Sequence, residues 1–451
     1  MQSVIYIENL MCQLRVIERG GLSYSSRIIL CMLCLSTAGT WCCQYPDAYT
    51  TADLSQYTTT DGAPTTACGD YHGYYTDTSA VRQSDIPVKY IRVNFHVMQD
   101  DDGRHNFDEA AGQLYYRNII SYANDLLGRN NRLFLPYGQP PPLLPTRYRL
   151  HLAEHHERPG EPGIYFHRDS ELYSTTRRGT GSRFFDKRMF EKYRINPDTE
   201  LNVFCLVHPP DSVASATYEP AIAGVAYGHE WVKVVGDYYH AYHPVKGSRP
   251  PIYWGEWYTQ NNHNHEVGHI LGLRHSWYRN DGCDDTPPHP NCWNRTDTPP
   301  CDTAYSNNIM DYNNFEGGWS PCQIARIQMR LADINHPTRR MLLPTWCEYD
   351  SLQSVVVADT VVWGGARDLR GDIHILPGGY LRVECRVSLP PTAVIRVARG
   401  GTLHVAGGTL MSDCDGEWQG IQLQRGGNPD VQLVISDGAA IRDYAPPAQL
   451  N

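Results

Sequence analysis

The sequence predicts a mixed α/β domain followed by an all-β module. Segments rich in β-branched residues alternate with segments of helical periodicity up to about residue 345, which is typical of a sheet packed against helices. Beyond residue 350, glycine pairs precede short alternating apolar stretches, which is typical of repeated β-structure. We therefore expect four regions: a signal region at 1–45, a pro-segment or linker at 46–85, a principal domain at 86–345 and a repeat module at 350–451.

The composition is that of a globular, exported protein. The 451 residues are 41% hydrophobic and 20% charged, which excludes a mainly disordered or fibrous chain. A net charge of -10 argues against a nucleic-acid partner, because binding to phosphates needs an excess of cations. The 14 cysteines indicate disulfide bonds and an oxidising compartment, so we expect a secreted protein.

The amino-terminal region contains a short apolar run at 28–38, behind Arg27 and followed by small residues. The run fits the apolar part of a secretory signal peptide and is shorter than the ~20 residues that a membrane span needs. We expect no transmembrane anchor in the mature chain; the alternative interpretation of the run is a buried apolar segment. Residues 46–85 are polar and lack periodicity, which favours an extended linker or pro-segment.

The principal domain contains alternating predicted strands and helices. The predicted strands are 88–98, 148–153 and 201–207, with 221–227 as an edge strand. The predicted helices are 108–127 and 185–193, and a proline-rich loop covers 136–146. Ser320, Pro321 and Gln323 form a capping-box pattern, which predicts a further helix that begins there.

One short motif carries most of the chemical information. His265 and His269 are four residues apart, so on a helix they lie on one face and can bind one Zn²⁺. Gly272 lets the chain leave the helix sharply, and His275 then returns as a third ligand. Three protein ligands leave a position for water, as in catalytic zinc sites, and Glu266 is placed to act as general base.

This combination is unlikely to arise by chance. From the residue frequencies of the chain, three histidines, a glutamate and a glycine at these spacings occur with a probability on the order of 10⁻⁴. His263 lies two residues before His265 and faces another side of the helix, so we expect it not to be a ligand.

The motif resembles the signature of the metzincin zinc metallopeptidases, and three further segments resemble their pappalysin family, especially its bacterial members. These segments are Asp-Gly-Cys-Asp-Asp-Thr-Pro at 281–287, Asn-Ile-Met-Asp-Tyr at 308–312 and Trp-Ser-Pro-Cys-Gln at 319–323. The resemblance is strong over 265–330, weaker over 86–260 and absent from the carboxyl-terminal module. It implies a catalytic domain with a twisted mixed sheet and an active-site helix.

The resemblance also implies roles for particular residues. Met310 would form the methionine turn beneath the metal, and Tyr312 would help to stabilise the oxyanion. Calcium would bind near Asp281 and Thr286, where oxygen ligands suit a hard cation; the alternative is an acidic turn that binds nothing. An acidic residue after Tyr312, here Glu316, would favour substrates with a basic side chain.

Cysteines are expected in two roles. The family implies the crossed disulfides Cys283–Cys301 and Cys292–Cys322, although Cys322 lies inside the predicted helix start, and four cysteines allow three pairings. Many secreted metzincins keep a pro-segment cysteine on the zinc until activation. Cys68 fits that role as a latent-state zinc ligand; the alternatives are a disulfide or a free thiol.

The repeat module carries glycine pairs at 378–379, 400–401 and 407–408, each followed by alternating apolar residues. The first two pairs are 22 residues apart, which favours a β-solenoid, with a small β-sandwich as the alternative. The module would contact a cell surface or a glycan, or serve only as a stabilising appendage.

The leading hypothesis is a secreted zinc endopeptidase that hydrolyses protein or peptide substrates and is made as a latent zymogen. The first alternative is a non-catalytic adhesion or matrix protein with a structural zinc site, against which the intact Glu266 argues. The second is a metal-dependent hydrolase of another bond.

Overall fold

The computed structural model describes most of one compact unit, residues 49–451. The described residues are 49–55, 68, 70–74, 86–176, 184–244, 248–292, 298–312, 316–426, 428, 432–436 and 438–446. The predicted signal region lies outside them. None of the described helices combines the length and the apolar character that a membrane crossing requires.

A seven-stranded mixed sheet forms the centre of the principal domain. The strands up to residue 343 are β1 (Tyr49–Thr51), β2 (Lys89–Gln99), β3 (Tyr148–Leu152), β4 (Glu154–His155), β5 (Arg158–Pro162), β6 (Ile164–Arg168), β7 (Leu201–Leu206), β8 (Ala223–Tyr227), β9 (Trp231–Val235) and β10 (Leu342–Leu343). The sheet has the order β10-β2-β7-β9-β8, and β3 and β6 also pair with β2. Strand β8 lies at one edge and is antiparallel to β9.

The helices are α1 (Glu109–Arg129), α2 (Arg188–Tyr193), α3 (Pro210–Val213), α4 (Asp237–Tyr242), α5 (Glu256–Ile270), α6 (Pro321–Ala332) and α7 (Pro337–Arg340). Short 3-10 turns lie at Tyr71–Tyr74, Thr345–Cys347 and Ser351–Gln353. Asp108 caps α1, and Ser320 and Gln323 form the predicted capping box of α6.

The predicted strands and helices of this domain are confirmed within a few residues, but two features differ. The helix at 108–127 was predicted from apolar residues at helical spacing, namely Leu114, Ile119, Tyr122 and Leu126; Ile119 and Leu126 are buried, but Leu114 and Tyr122 are 62% and 43% exposed. Strands β6, β9 and β10 of the sheet were not predicted; in β9 all five residues are buried, so its sequence shows no alternation.

The principal core lies between this sheet and helices α1, α5 and α6. It contains sheet residues such as Phe95 and Val203, together with Ile119 of α1, Val267 of α5 and Ile327 of α6. Val267 lies two residues from each of the histidines 265 and 269, so it points to the other side of the helix. Its burial in the core therefore fixes the rotation of α5 about its axis. The opposite face of α5 presents the motif residues.

The carboxyl-terminal module is a parallel β-solenoid with three sheets. Its strands are β11 (Val355–Val357), β12 (Thr360–Trp363), β13 (Arg367–Asp368), β14 (Ile373–Ile375), β15 (Tyr380–Val383), β16 (Arg386–Ser388), β17 (Ile395–Val397), β18 (Thr402–Val405), β19 (Thr409–Met411), β20 (Ile421–Gln424), β21 (Leu433–Ile435) and β22 (Ala440–Ile441). Each strand from β11 to β19 pairs in parallel with the strand three further along the chain.

The glycine repeat marks the coils of this solenoid. Tyr380 pairs with Thr402, 22 residues on, so the sequence repeat is the length of a coil. Gly378 and Gly400 stand at the same turn of successive coils with φ of 85° and 83°, a conformation that favours glycine. The solenoid alternative is therefore confirmed, and the small β-sandwich is not.

The predicted linker contributes to the solenoid. Strand β1 pairs antiparallel with β20, with Thr50 opposite Leu423, and so extends one sheet of the solenoid. Leu54, which follows β1, is 1% exposed and belongs to the solenoid core. Residues 49–54 are thus an integral part of the fold.

Buried charges join the solenoid to the principal domain. The Asp368 carboxylate of β13 accepts from Lys89 of β2 at 2.9 Å, from Arg339 of α7 at 2.7 Å and from Arg386 at 2.8 Å. A disulfide between Cys347 and Cys414 adds a covalent link. These contacts are specific, so the two parts pack in one defined arrangement.

Candidate active site

The active-site helix α5 places His265 and His269 on one face, one turn apart, as the spacing predicted. His265 Nδ1 donates to the carbonyl oxygen of Ile309 at 2.7 Å, and His269 Nδ1 donates to that of Leu273 at 2.9 Å. Because carbonyls only accept, these bonds fix the tautomers and leave each Nε2 with a lone pair. Both rings are therefore oriented as metal ligands.

The third histidine reaches the other two through a sharp turn. Gly272 has φ of 88°, a backbone conformation that favours glycine, and the Arg330 guanidinium of α6 packs against it, 2.2 Å from where a Cβ would stand. After this turn His275 Nε2 lies 3.1 Å from His269 Nε2. One ring nitrogen from each of His265, His269 and His275 lies within 4.8 Å of the others.

The protein environment keeps these three histidines neutral. Burial lowers the pKa of His265 well below its ordinary value, and the nearby His269 and His275 lower it further. Burial also lowers the pKa of His269, and it lowers that of His275 to about 3. Neutral imidazoles with converging lone pairs have the chemistry of a tetrahedral zinc site with one position open, so the residues fit the metal.

Glu266 packs directly against the edge strand of the sheet. A Cβ built on Gly224 of β8 would lie 2.4 Å from Glu266 Cγ and 2.5 Å from Glu266 Oε1. Real Cβ atoms do not approach this closely, so glycine leaves the space that the carboxylate occupies. Sequence reasoning missed Gly224, because only the fold shows that β8 passes beside Glu266.

The predicted methionine turn packs against the helix that carries His265 and His269. Met310 is fully buried, and a Cβ on Gly268 of α5 would lie 2.5 Å from its sulfur, so helix and turn are in close contact. Its neighbour Ile309 supplies the carbonyl that orients His265, and the carbonyl oxygen of Met310 accepts from the Ser276 N–H at 3.1 Å. The turn therefore supports the first ligand and the segment that follows the third.

Tyr312 lies beside the ligands. Its ring centroid is 4.5 Å from that of His275 and 5.9 Å from that of His265. Trp277 stacks on the His275 ring at 5.2 Å with an interplanar angle of 8°. The phenol thus belongs to the same aromatic cluster as two of the three histidines, and Trp277 is a member that sequence reasoning missed.

The structure also shows the surroundings of two further predicted residues. His263 bonds through Nε2 to the buried Asp237 at 2.9 Å, which agrees with the expectation that it is not a ligand. Burial raises the pKa of Glu316 well above its ordinary value, and the charges of Asp311 and Glu266 raise it further. The preference for substrates with a basic side chain stays a prediction.

The acidic loop makes its bonds within the chain. Asp281 accepts from the Cys283 N–H at 2.9 Å and from the Thr286 hydroxyl. Asp285 accepts from the Ser320 hydroxyl at 2.7 Å and from the Cys322 N–H at 2.9 Å, and so caps α6. Calcium at Asp281 and Thr286 stays a prediction, since their mutual bond needs no cation.

The predicted crossed disulfides are wrong. The structure pairs Cys283 with Cys322 and Cys292 with Cys301, in each case with Cα atoms 5.6 Å apart. The cap of α6 explains the observed pairing. Asp285 bonds to Ser320 and Cys322 in the first turn of α6, which brings the neighbouring Cys283 next to Cys322. Cys283, Asp285 and Cys322 also cluster closely enough for a metal, but sulfurs joined in a disulfide are not thiolate ligands.

The predicted role of Cys68 as a latent-state zinc ligand is also corrected. Cys68 forms a disulfide with Cys385 of the solenoid. The 3-10 turn that follows packs against the same module, since a Cβ on Gly73 would lie 2.6 Å from the backbone of Gly364. A paired sulfur supplies no thiolate, so the disulfide alternative holds.

Comparison with known proteins gives distant structural similarity only. No family model and no curated protein matches the chain. Mirolysin in complex with compound 9 is 18% identical, with a TM-score of 0.38 over 56% of this chain and 96% of that one. Mature mirolysin of Tannerella forsythia with a cleaved peptide is 17% identical, with a TM-score of 0.38 over 56% and 94%. A promirolysin mutant of the same organism is 17% identical, with a TM-score of 0.37 over 58% and 87%.

Proposed function

We propose that the chain is an exported zinc-dependent endopeptidase of the metzincin type, related to the pappalysins. The observation that supports this best is the convergence of three neutral histidine nitrogens beside Glu266. His265, His269 and His275 would hold the metal. When bound, zinc supplies Lewis-acid chemistry, polarising a scissile carbonyl and lowering the pKa of a water molecule toward ~7.

Glu266 acts as the general base in this proposal. Its side chain packs against Gly224 of β8, where a Cβ would lie 2.5 Å from Oε1, so the edge strand limits its movement toward the sheet. It takes a proton from the attacking water and gives it to the leaving amine, which splits the peptide bond with no net change in its own protonation. Tyr312 donates its phenolic proton in a hydrogen bond to the oxyanion that develops on the carbonyl.

The edge strand suggests how a peptide would bind. Among the described strands, β8 pairs on one side only, with β9, and it passes directly beside Glu266. An extended peptide can add to such an edge through main-chain hydrogen bonds, which places successive peptide bonds near the base. Protein or peptide substrates are therefore the class that the site favours.

We further propose that the protein is exported. Four disulfides within the described residues form and persist in oxidising compartments. Synthesis as a latent zymogen stays a prediction. The group that blocks the zinc site in such a zymogen has to be one other than Cys68. Contact of the solenoid with a cell surface or a glycan also stays a prediction.

The test is a Glu266→Ala variant assayed on casein at equal bound zinc. We expect kcat to fall by about 10²–10⁴-fold, because the general base is lost while all three ligands remain. Glu256→Ala, in the first turn of the same helix, is the matched control and should keep most of the activity. Unchanged hydrolysis by Glu266→Ala would overturn the proposal.

A non-catalytic adhesion or matrix protein with structural zinc is the second candidate. The regular solenoid favours it, since such modules present extended binding surfaces. The three-histidine site argues against it, because structural zinc sites have four protein ligands. Stoichiometric zinc without hydrolysis of any tested protein would favour this candidate.

A further inference from the structure

A buried ion pair joins the disulfide-bonded loop to the methionine turn. His289 Nε2 lies 3.1 Å from Asp311 Oδ2, and the two side chains are 2% and 0% exposed. His289 Nδ1 lies 3.0 Å from the carbonyl oxygen of Pro290. Because both ring nitrogens face acceptors, both must donate, and His289 is an imidazolium cation. Burial lowers the pKa of His289, but the hydrogen bond and the charge of Asp311 raise it more, so the net shift is upward.

The partner of this cation shapes the turn that carries Tyr312. Asp311 Oδ1 accepts from the Tyr312 N–H at 2.7 Å, and Oδ2 accepts from the Ser306 hydroxyl at 2.5 Å. The Asp311 N–H donates to the carbonyl oxygen of Asn308 at 3.0 Å. Both carboxylate oxygens are therefore used, and their orientation decides where the backbone of Tyr312 lies.

His289 stands on a rigid support. Its loop is fixed by Cys283–Cys322 on one side and by Cys292–Cys301 on the other. A buried carboxylate that loses a buried cation partner either takes up a proton or turns toward other donors, since an unpaired buried charge is costly. In either case the bond from the Tyr312 N–H to Asp311 weakens.

We propose that His289 is a positioning residue for Tyr312, acting through the Asp311 carboxylate. It holds this carboxylate in the orientation that accepts from the Tyr312 N–H and so keeps the phenol against the ring of His275. The effect on catalysis rests on the proposed function above, whereas the effect on the position of Tyr312 does not.

The first readout does not need activity. Amide hydrogen exchange is measured at Tyr312 in the zinc-loaded wild type, in His289→Phe and in His289→Gln. His289→Phe should speed exchange at Tyr312 by about tenfold, while amides in the middle of α5 keep their rates. His289→Gln still donates one hydrogen bond, so its exchange rate at Tyr312 should lie between those of the wild type and His289→Phe. This variant also keeps the test valid if the His289→Phe protein fails to fold. Unchanged exchange at Tyr312 in both variants would overturn the proposal.

The second readout is a double-mutant cycle on peptide hydrolysis. His289→Phe should lower kcat by about 10–100-fold with little change in KM, as outer-shell substitutions do. In a Tyr312→Phe background the same substitution should cost less than about threefold, because the residue that it positions no longer contributes. An equal loss in both backgrounds would show that His289 does not act through Tyr312. If the wild type hydrolyses nothing, the proposed function fails, and hydrogen exchange alone decides on His289.

Discussion

Among single residues, Gly224 has the strictest steric requirement around Glu266. Its φ lies outside the left-handed region, so alanine fits the backbone and only the contact with Glu266 opposes it. Gly224→Ala should displace the carboxylate and lower kcat by about 10²-fold or more at unchanged zinc content. Gly364→Ala, whose added Cβ meets nothing closer than 3.5 Å, is the control for the glycine-to-alanine change itself.

A shorter carboxylic acid at position 266 separates steric crowding of its side chain from the other effects of Gly224→Ala. Glu266→Asp removes one methylene from the side chain that a Cβ at position 224 would meet. In the Glu266→Asp background, Gly224→Ala should therefore cost far less in kcat than in the wild type. Equal costs in the two backgrounds would mean that Gly224 matters for another reason, such as peptide binding at β8.

At this scale the sequence was informative where chemistry imposes a spacing. The separations from His265 to His275 follow from the geometry of a helix turn and a metal, and the glycine at 272 follows from the sharp exit. Gly224, Trp277 and His289 carry no such local constraint. Their roles depend on which segments the fold brings together, and no pattern within one segment shows that.

At the scale of elements, Asp368 joins β13 of the solenoid to β2 and α7 of the principal domain. Burial opposes its ionisation, but Arg339, Arg386 and Lys89 together hold the pKa of Asp368 well below its ordinary value. Asp368→Asn leaves these buried cations without their shared anion and should lower the free energy of unfolding by about 3–5 kcal/mol at pH 7. Denaturant titration measures the change.

The pH dependence of this effect has a fixed sign. Because the folded-state pKa is depressed, the stabilisation by Asp368 is present above the unfolded pKa of ~3.9 and is lost as the pH falls through the folded value. The difference between wild type and Asp368→Asn should therefore shrink below about pH 4. Asp198→Asn, in an exposed pair with Arg340, is the control and should change stability by less than about 1 kcal/mol. A pH-independent difference would contradict this assignment.

Elements were predictable where a local signal marks them. Asp108 and the Ser320–Gln323 capping box predicted the starts of two helices, and the glycine pairs predicted the coils of the solenoid. The disulfides were predicted wrongly, because their pairing depends on how Asp285 holds the loop against α6. That contact spans 35 residues and has no sequence signature.

At the scale of the whole molecule, the amino-terminal strand and the solenoid depend on each other. Strand β1 covers the edge of β20, and Leu54 fills the solenoid core. A chain that starts at residue 56 should therefore be less stable by about 2 kcal/mol or more than one that starts at residue 49, and it should self-associate through the exposed edge.

Thermal unfolding and light scattering on the two truncated chains measure this difference. The chain that starts at residue 49 is the matched control. Both chains lack residues 1–48, and only the control keeps β1 and Leu54. Equal unfolding temperatures would show that β1 adds nothing to the solenoid. The pairing of β1 with β20 could not be predicted from the sequence, because 49–54 has the composition of a polar linker and its partner strand is some 370 residues away.

The central claim is that three histidines build one catalytic zinc site. Its most direct test is a titration of chelator-stripped protein with zinc, in which bound metal and the rate of casein hydrolysis are measured at each point. We predict no hydrolysis without metal and a rate that rises in proportion to bound zinc until one ion is held per chain. Full hydrolysis by the metal-free protein, or one bound zinc per chain without any hydrolysis, would contradict the claim.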